Sequence, residues 1–187
     1  GGGLNLFDPQ KKTFIYYTKE NSSICSNVIK TLLNDNEDNL WIGTYASGLC
    51  VANFKKKYFK HFLPTDFSNG KSISRFNVWA LSKAKNGNLW IGELDGGLDY
   101  YNFENHKFKN YYHIFPGLKK LVAPNFVSVF ADNDDNLWVG TQTQGAYKIS
   151  NKGNKTTPFN HRPNDPKSIV SDYIQVITQD TEGRIWI

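Results

Sequence analysis

The residues best equipped for chemistry in this chain lie in short polar stretches between apolar runs. Glu93 and Asp95 are carboxylates two positions apart, and Arg75 is one of three arginines, with Arg162 and Arg184. Tyr45, Gln142, Gln144 and Tyr173 occupy comparable stretches. Aromatic faces beside amides, carboxylates and a guanidinium suit a polyhydroxylated ligand, whose C–H face stacks while forked polar groups meet its hydroxyls. Two acids flanking a glycosidic bond would be able to cleave it. Glu93 and Asp95, however, belong to one stretch, and no opposing carboxylate is evident. Tyr45, Arg75, Glu93, Asp95, Gln142, Gln144 and Tyr173 are therefore expected to bind a ligand rather than to transform it, with no catalytic residue and no cofactor.

Other chemistries find less support. His61, His106, His113 and His161 are spread along the chain, whereas metal binding needs convergent ligands. No glycine-rich phosphate loop and no Gly-x-Ser-x-Gly elbow occurs. The net charge of +5 comes from scattered lysines, with Lys55-Lys56-Lys57 as the nearest thing to a basic run. Nucleic-acid binding calls for a basic stripe, so these lysines read as solubilising strand-edge residues. Cys25 and Cys50 have no cysteine counterparts elsewhere in the chain and are expected to be free, half-buried thiols. No apolar run approaches the roughly 20 residues of a membrane span, and no signal-like segment opens the sequence. Direct membrane insertion by this segment is not expected; any anchor would lie outside it.

The elements that must position these residues announce themselves by repetition. Trp41, Trp90, Trp138 and Trp186 are 49, 48 and 48 residues apart, within NLWIG, NLWIG, NLWVG and RIWI. Such a period marks a repeat architecture. Within one copy, NVWAL, LWIGE, LDYYNF and KFKNYYH are four short runs separated by turn residues, with no helical periodicity. Asn86-Gly87 predicts a hairpin turn with positive φ at both central positions. A glycine (Gly48, Gly97, Gly145) recurs seven residues after each of the first three tryptophans.

These features predict an all-β chain, a β-propeller of four-stranded antiparallel blades of about 48 residues. The whole chain, 1–187, would be one segment: a half blade at 1–17, blades at 24–63, 73–113 and 122–160, and a half blade at 168–187. A slice of a larger propeller is favoured over a closed four-bladed ring, because the chain stops at RIWI without the glycine and threonine that follow Trp41. The repeated tryptophans are expected to wedge between blades. Trp79 stands outside the repeated position and would either pack between blades or line a channel. The candidate binding residues fall on second-to-third strand loops (44–47, 93–96, 141–144) and on loops leading into first strands, at one end of the axis.

The phrases NLWIGTYASGL, NLWIGELDGGL and NLWVGTQTQGA resemble the two-component regulator propeller repeat. NDPKSIVSDYIQVITQDTEGRIWI is similar to it as well, and the likeness covers essentially the whole chain. Such repeats form the extracytoplasmic sensor region of hybrid two-component histidine kinases in Bacteroidetes. The resemblance implies a periplasmic, non-catalytic segment that recognises an oligosaccharide and signals to a kinase outside this chain. Remaining blades of a parent propeller and a homodimer mate are the implied protein partners. Ala146 departs from the GGL pattern, so the third copy is expected to be locally irregular. The alternative is a scaffold propeller for protein or dimer contacts. A third possibility is a propeller glycosidase or lyase, because DNDDNLW resembles the Asp-box turn of sialidases. Those enzymes need three convergent arginines, and Arg184 sits where other copies carry asparagine.

Overall fold

In the computed structural model, residues 1–122 and 124–187 are described, the side chains of 66–68 excepted. Three four-stranded antiparallel sheets follow one another along the chain. They are preceded by a two-stranded pair, β1 (Leu4–Asp8) with β2 (Thr13–Tyr17), and the first full sheet holds β3 (Ile29–Asn34), β4 (Leu40–Thr44), β5 (Leu49–Asn53) and β6 (Tyr58–Phe62). The second holds β7 (Val78–Lys83), β8 (Leu89–Glu93), β9 (Leu98–Asn102) and β10 (Lys107–Asn110). The third holds β11 (Phe126–Ala131), β12 (Leu137–Thr141), β13 (Ala146–Ile149) and β14 (Thr156–Phe159). A second two-stranded pair, β15 (Thr178–Gln179) with β16 (Ile185–Trp186), ends the series.

The first strands are innermost, with β7 packed against β3 on one side and β11 on the other. Leu4 of the first pair packs on Ile42, Cys50 and Ala52, while Ile185 of the last pair packs against the cluster of Trp138, Ala146 and Ile174. The two-stranded pairs therefore cover opposite ends of the row and form separate sheets instead of joining into one blade. This is a propeller arc. No helix among the described residues is long and apolar enough to cross a membrane.

The repeated phrase is explained by what each letter does. Leu49, Leu89, Leu98 and Val139 are fully buried in clusters that span neighbouring sheets. The glycine of each "WIG" or "WVG" lies where the next first strand crosses. A Cβ on Gly43 would come within 2.7 Å of Val78 Cγ1, and one on Gly140 within 2.5 Å of Ile174 Cγ2. Opposite these glycines each first strand carries a bulge, between Ile29 and Thr31, Val78 and Ala80, and Phe126 and Ser128.

The first-to-second strand turns have a feature the sequence pattern did not disclose. In three of four copies an aspartate six residues before the tryptophan holds the turn. Asp35 Oδ1 accepts the Glu37 and Asn39 amides, at 2.8 and 3.0 Å, and its Oδ2 accepts the Trp41 indole N–H at 2.8 Å. Asp132 does the same for Asp134, Asn136 and Trp138, and Asp180 for Glu182, Arg184 and Trp186. Arg184 also donates to this aspartate, at 2.7 Å, which fixes it at the turn. Because a side chain scaffolds the loop, one residue per turn takes positive φ: Asp38, Gly87, Asp135 or Gly183. The Asn86-Gly87 turn thus differs from the two-residue type expected, with positive φ at Gly87 alone.

Two further expectations need correction. Cys25 and Cys50 are not free thiols but a buried disulfide, with Cα atoms 6.1 Å apart. The third copy is also regular at Ala146: β12 and β13 stay in register from Leu137–Ile149 to Gly140–Ala146. A smaller residue there removes bulk without disturbing the ladder.

Candidate functional site at the second-to-third strand loops

The loops carrying the candidate residues are bolted to the lead-in loop of the following sheet by backbone hydrogen bonds. Gly48 N–H donates to Phe76 O at 2.8 Å, Gly96 N–H to Pro124 O at 2.8 Å and Gly145 N–H to Asp172 O at 3.0 Å. Each loop therefore meets its neighbour across a sheet boundary, which is how residues far apart in sequence come together.

Arg75, Asp95 and Gln142 form one connected surface. Arg75 Nε donates to Asp95 O at 2.8 Å and Nη1 to Ser74 O at 2.9 Å. Asp95 N–H donates to Asn125 Oδ1 at 3.0 Å, and Asn125 Nδ2 donates to Gln142 Oε1 at 2.8 Å. Arg75 and Asp95 are exposed, and Gln142 is half-buried. A groove of about 530 Å³ opens beside Arg75, lined also by Ser74, Phe108, Lys109, Asn110 and His113.

Tyr45 is exposed but stands apart, with the Lys30 ammonium 5.7 Å from its ring. The same ammonium lies 4.2 Å from the ring of Trp79, a half-buried bulge residue of β7. Gln144 Nε2 donates to Val122 O at 3.3 Å, and Tyr173 is exposed near Ser171, whose Oγ accepts its N–H at 3.0 Å. No hydrogen bond among the described residues joins Tyr45, Gln144 or Tyr173 to the Arg75 chain.

Glu93 is placed differently from its expected loop position. It is the last residue of β8 and has 0% exposure. Its neighbour Asp99, on β9, is equally buried. Ser74 Oγ lies 2.7 Å from Glu93 Oε2 and 2.9 Å from Asp99 Oδ1, Ser74 N–H donates to Asp99, and Asn110 Nδ2 donates to Asp99 Oδ1 at 2.8 Å. Burial pushes the Glu93 carboxyl well above its ordinary range, and the charge of Asp99 pushes it further. Burial also raises Asp99, against the hydrogen bonds from Asn110 and Ser74. Two adjacent buried carboxyls in such surroundings resist double ionisation, and Glu93 is held the more strongly toward its protonated form.

This network has an equivalent one repeat earlier. Asp99 pairs with Asn110 across β9 and β10 as Cys50 pairs with His61 across β5 and β6. Ser74 to Asp99 and Cys25 to Cys50 both span 25 residues. One sheet ties its lead-in loop to its third strand with a covalent bond, the next with a serine and two carboxyls. A signal for Glu93 existed, since Thr44 and Thr141 hold the same strand-end position and are also fully buried.

Comparison with known proteins comes from three directions. The family described as "Two component regulator propeller" matches residues 23–46 and 120–143. No curated protein sequence is detectably similar to the chain. Among solved structures, the extracellular domain assigned to a hybrid two-component system of B. thetaiotaomicron superposes with a TM-score of 0.79 at 20% identity, over 99% of this chain and 23% of that one. A second such extracellular domain from B. thetaiotaomicron gives 0.56 at 19% identity, over 99% of this chain and 29% of that one. Virginiamycin B lyase from Staphylococcus aureus gives 0.65 at 16% identity, over 99% and 55%. At these identities the likeness is one of fold, and this chain spans under a third of the two extracellular-domain chains. The family match and the shared fold agree with the tryptophan period: residues 23–46 and 120–143 match the two-component regulator propeller repeat, and the chain has the propeller fold.

Proposed function

We propose that this chain is a non-catalytic, ligand-sensing propeller segment of a membrane-bound hybrid two-component sensor. It recognises an oligosaccharide on the periplasmic side and relays its presence to a histidine kinase outside these residues. The observation that carries the reading is the Arg75–Asp95–Asn125–Gln142 chain, which joins loops of the second and third sheets and starts at the groove lined by Arg75. With Nε and Nη1 engaged by carbonyls, the guanidinium is held in place beside Ser74 and Asn110, a pre-organised set for sugar hydroxyls. A ligand bridging loops from adjacent sheets would couple their relative positions, which is what a relay requires. The Cys25–Cys50 disulfide suits an oxidising compartment such as the periplasm.

A glycosidase or lyase role is disfavoured by the acids themselves. Glu93 and Asp99 are fully buried behind Ser74 and Asn110, whose side chains engage them, and neither acid lines the groove itself.

The test is a panel of oligosaccharides screened by thermal unfolding. A cognate fragment raises Tm by mass action, and Arg75→Ala removes that rise with little change in the unliganded Tm. A panel that leaves Tm unmoved would transfer support to the scaffold reading, in which this face contacts protein or a dimer mate. Formation of a cleaved product would overturn the non-catalytic assignment.

A further inference from the structure

The copy centred on Trp90 breaks the pattern that closes the others. The residue six positions before Trp90 is Ala84, where the other copies have Asp35, Asp132 and Asp180. Part of what the aspartate does has been reassigned. The Asn88 amide now donates to Asn86 Oδ1 at 3.1 Å, and the Asn88 side chain, whose counterpart Asn39 donates to Asp35, donates to the Tyr100 hydroxyl at 2.9 Å. The indole contact is not replaced: among the described residues nothing accepts the Trp90 indole N–H. The cover is missing as well. Phe103 packs edge-on against Trp41 at 5.8 Å, but the residue 48 positions later, against Trp90, is Asn151.

The space so vacated is a pocket of about 280 Å³ between the second and third sheets, near the lower end of ligand-site volumes (about 300–1,000 Å³). Its walls include Trp90, Tyr111, Phe115 and Ile149, and Lys152 and Asp135 stand in its lining. The three aromatic rings hold one another, with Trp90 5.3 Å from Tyr111 and 5.9 Å from Phe115. Asp135 has Oδ1 engaged by the Lys85 amide at 3.0 Å. Because β8 runs from Leu89 to Glu93, this pocket lies at the opposite end of the strand from the Arg75 groove.

We propose that this pocket is a second ligand site, for a small carboxylate carried on a flat apolar body such as an aromatic acid. The ligand supplies in trans the carboxylate that Ala84 fails to supply in cis. Its oxygen accepts the free Trp90 indole N–H, its charge is met by the Lys152 ammonium, and its ring stacks among Trp90, Tyr111 and Phe115. A neutral isostere lacks the charge for Lys152 and is a poorer acceptor for the indole. The site is independent of the oligosaccharide reading, since it shares no residue with the Arg75 groove.

The experiment uses benzoate and phenylacetate as probes, with benzyl alcohol as the uncharged control, read by the indole N–H resonances of the protein. Benzoate should shift the Trp90 resonance and leave those of Trp41 and Trp138 in place, with benzyl alcohol at least tenfold weaker. Ala84→Asp should restore the internal clamp, abolish binding and raise Tm. Asn151→Phe, which mimics the Phe103 cover, is a second variant that should block binding by filling the pocket. The proposal is overturned if benzoate fails to shift Trp90 at millimolar concentration. Equal binding of benzoate and benzyl alcohol, or undiminished binding by a folded Ala84→Asp or Asn151→Phe protein, would overturn it as well.

Discussion

The same five letters, NLWIG, sit at two sheet junctions that are closed to different degrees. At the first, Trp41 has 2% exposure, gives its N–H to Asp35 and lies under Tyr101 and Phe103 from the next sheet, at 5.1 and 5.8 Å. At the second, Trp90 is half-buried, Ala84 offers no acceptor and Asn151 replaces the covering ring. The phrase fixes the strand, the direction of the ring and the glycine that lets the neighbour approach. Whether the junction is sealed depends on two residues outside the phrase, one six positions before it and one in the adjacent sheet. A repeat protein can thus keep its frame and open a pocket by changing positions the repeat does not need.

Removing the rings should separate the two junctions most strongly. Trp41→Ala truncates a packed core ring and should cost about 3–5 kcal/mol in chemical denaturation, while Trp90→Ala should cost measurably less because its ring is already partly exposed. Reducing the Cys25–Cys50 disulfide, which closes a loop of 25 residues behind the Trp41 sheet, should cost about 3 kcal/mol. The second sheet, tied by Ser74 and Asp99, has no covalent link to lose. A smaller effect is expected at the clamp. Asp35→Ala leaves a buried indole donor without its partner and should cost about 1–3 kcal/mol, whereas Ala84→Asp should gain about 0.5–1.5 kcal/mol.

The smallest difference is one of pH. Burial opposes ionisation of Asp35, but the Asn39 amide, the Trp41 indole and the turn amides outweigh it and hold the carboxyl below its ordinary value. Asp35 therefore contributes stability that is present above the unfolded value of about 3.9 and lost as pH falls through the folded one. Glu93 works in the opposite sense. Raised by burial and by Asp99, it contributes stability below about pH 4.3 that is lost as pH rises through its folded value. Glu93→Gln, whose amide can still donate to Asp99, should flatten the decline of Tm with rising pH. A profile unchanged by this substitution would contradict a protonated Glu93.

Much of this was legible in the sequence because the tryptophan period, the alternating strands and the turn residues all reported one repeating unit. What was not legible involved contacts between unlike residues at equivalent positions. Cys25 and Cys50 have no counterpart cysteines in the repeat, yet they occupy the places of Ser74 and Asp99, and only the pairing of β5 with β6 and of β9 with β10 reveals it. Glu93 read as a loop carboxylate because charge suggests exposure, although its register with Thr44 and Thr141 marked a buried strand end. Of the loop residues, Arg75, Asp95 and Gln142 were brought together by hydrogen bonds between loops, one of which crosses from the second sheet to the third, and no local pattern encodes them.

The most direct test of the contrast between the two junctions is hydrogen exchange at the indole nitrogens. The Trp41 and Trp138 N–H groups, each held by an aspartate, should exchange slowly, and the Trp90 N–H should exchange much faster in the same native protein. Equal protection at all three would mean that the Trp90 junction is closed after all, and that its pocket does not exist in solution.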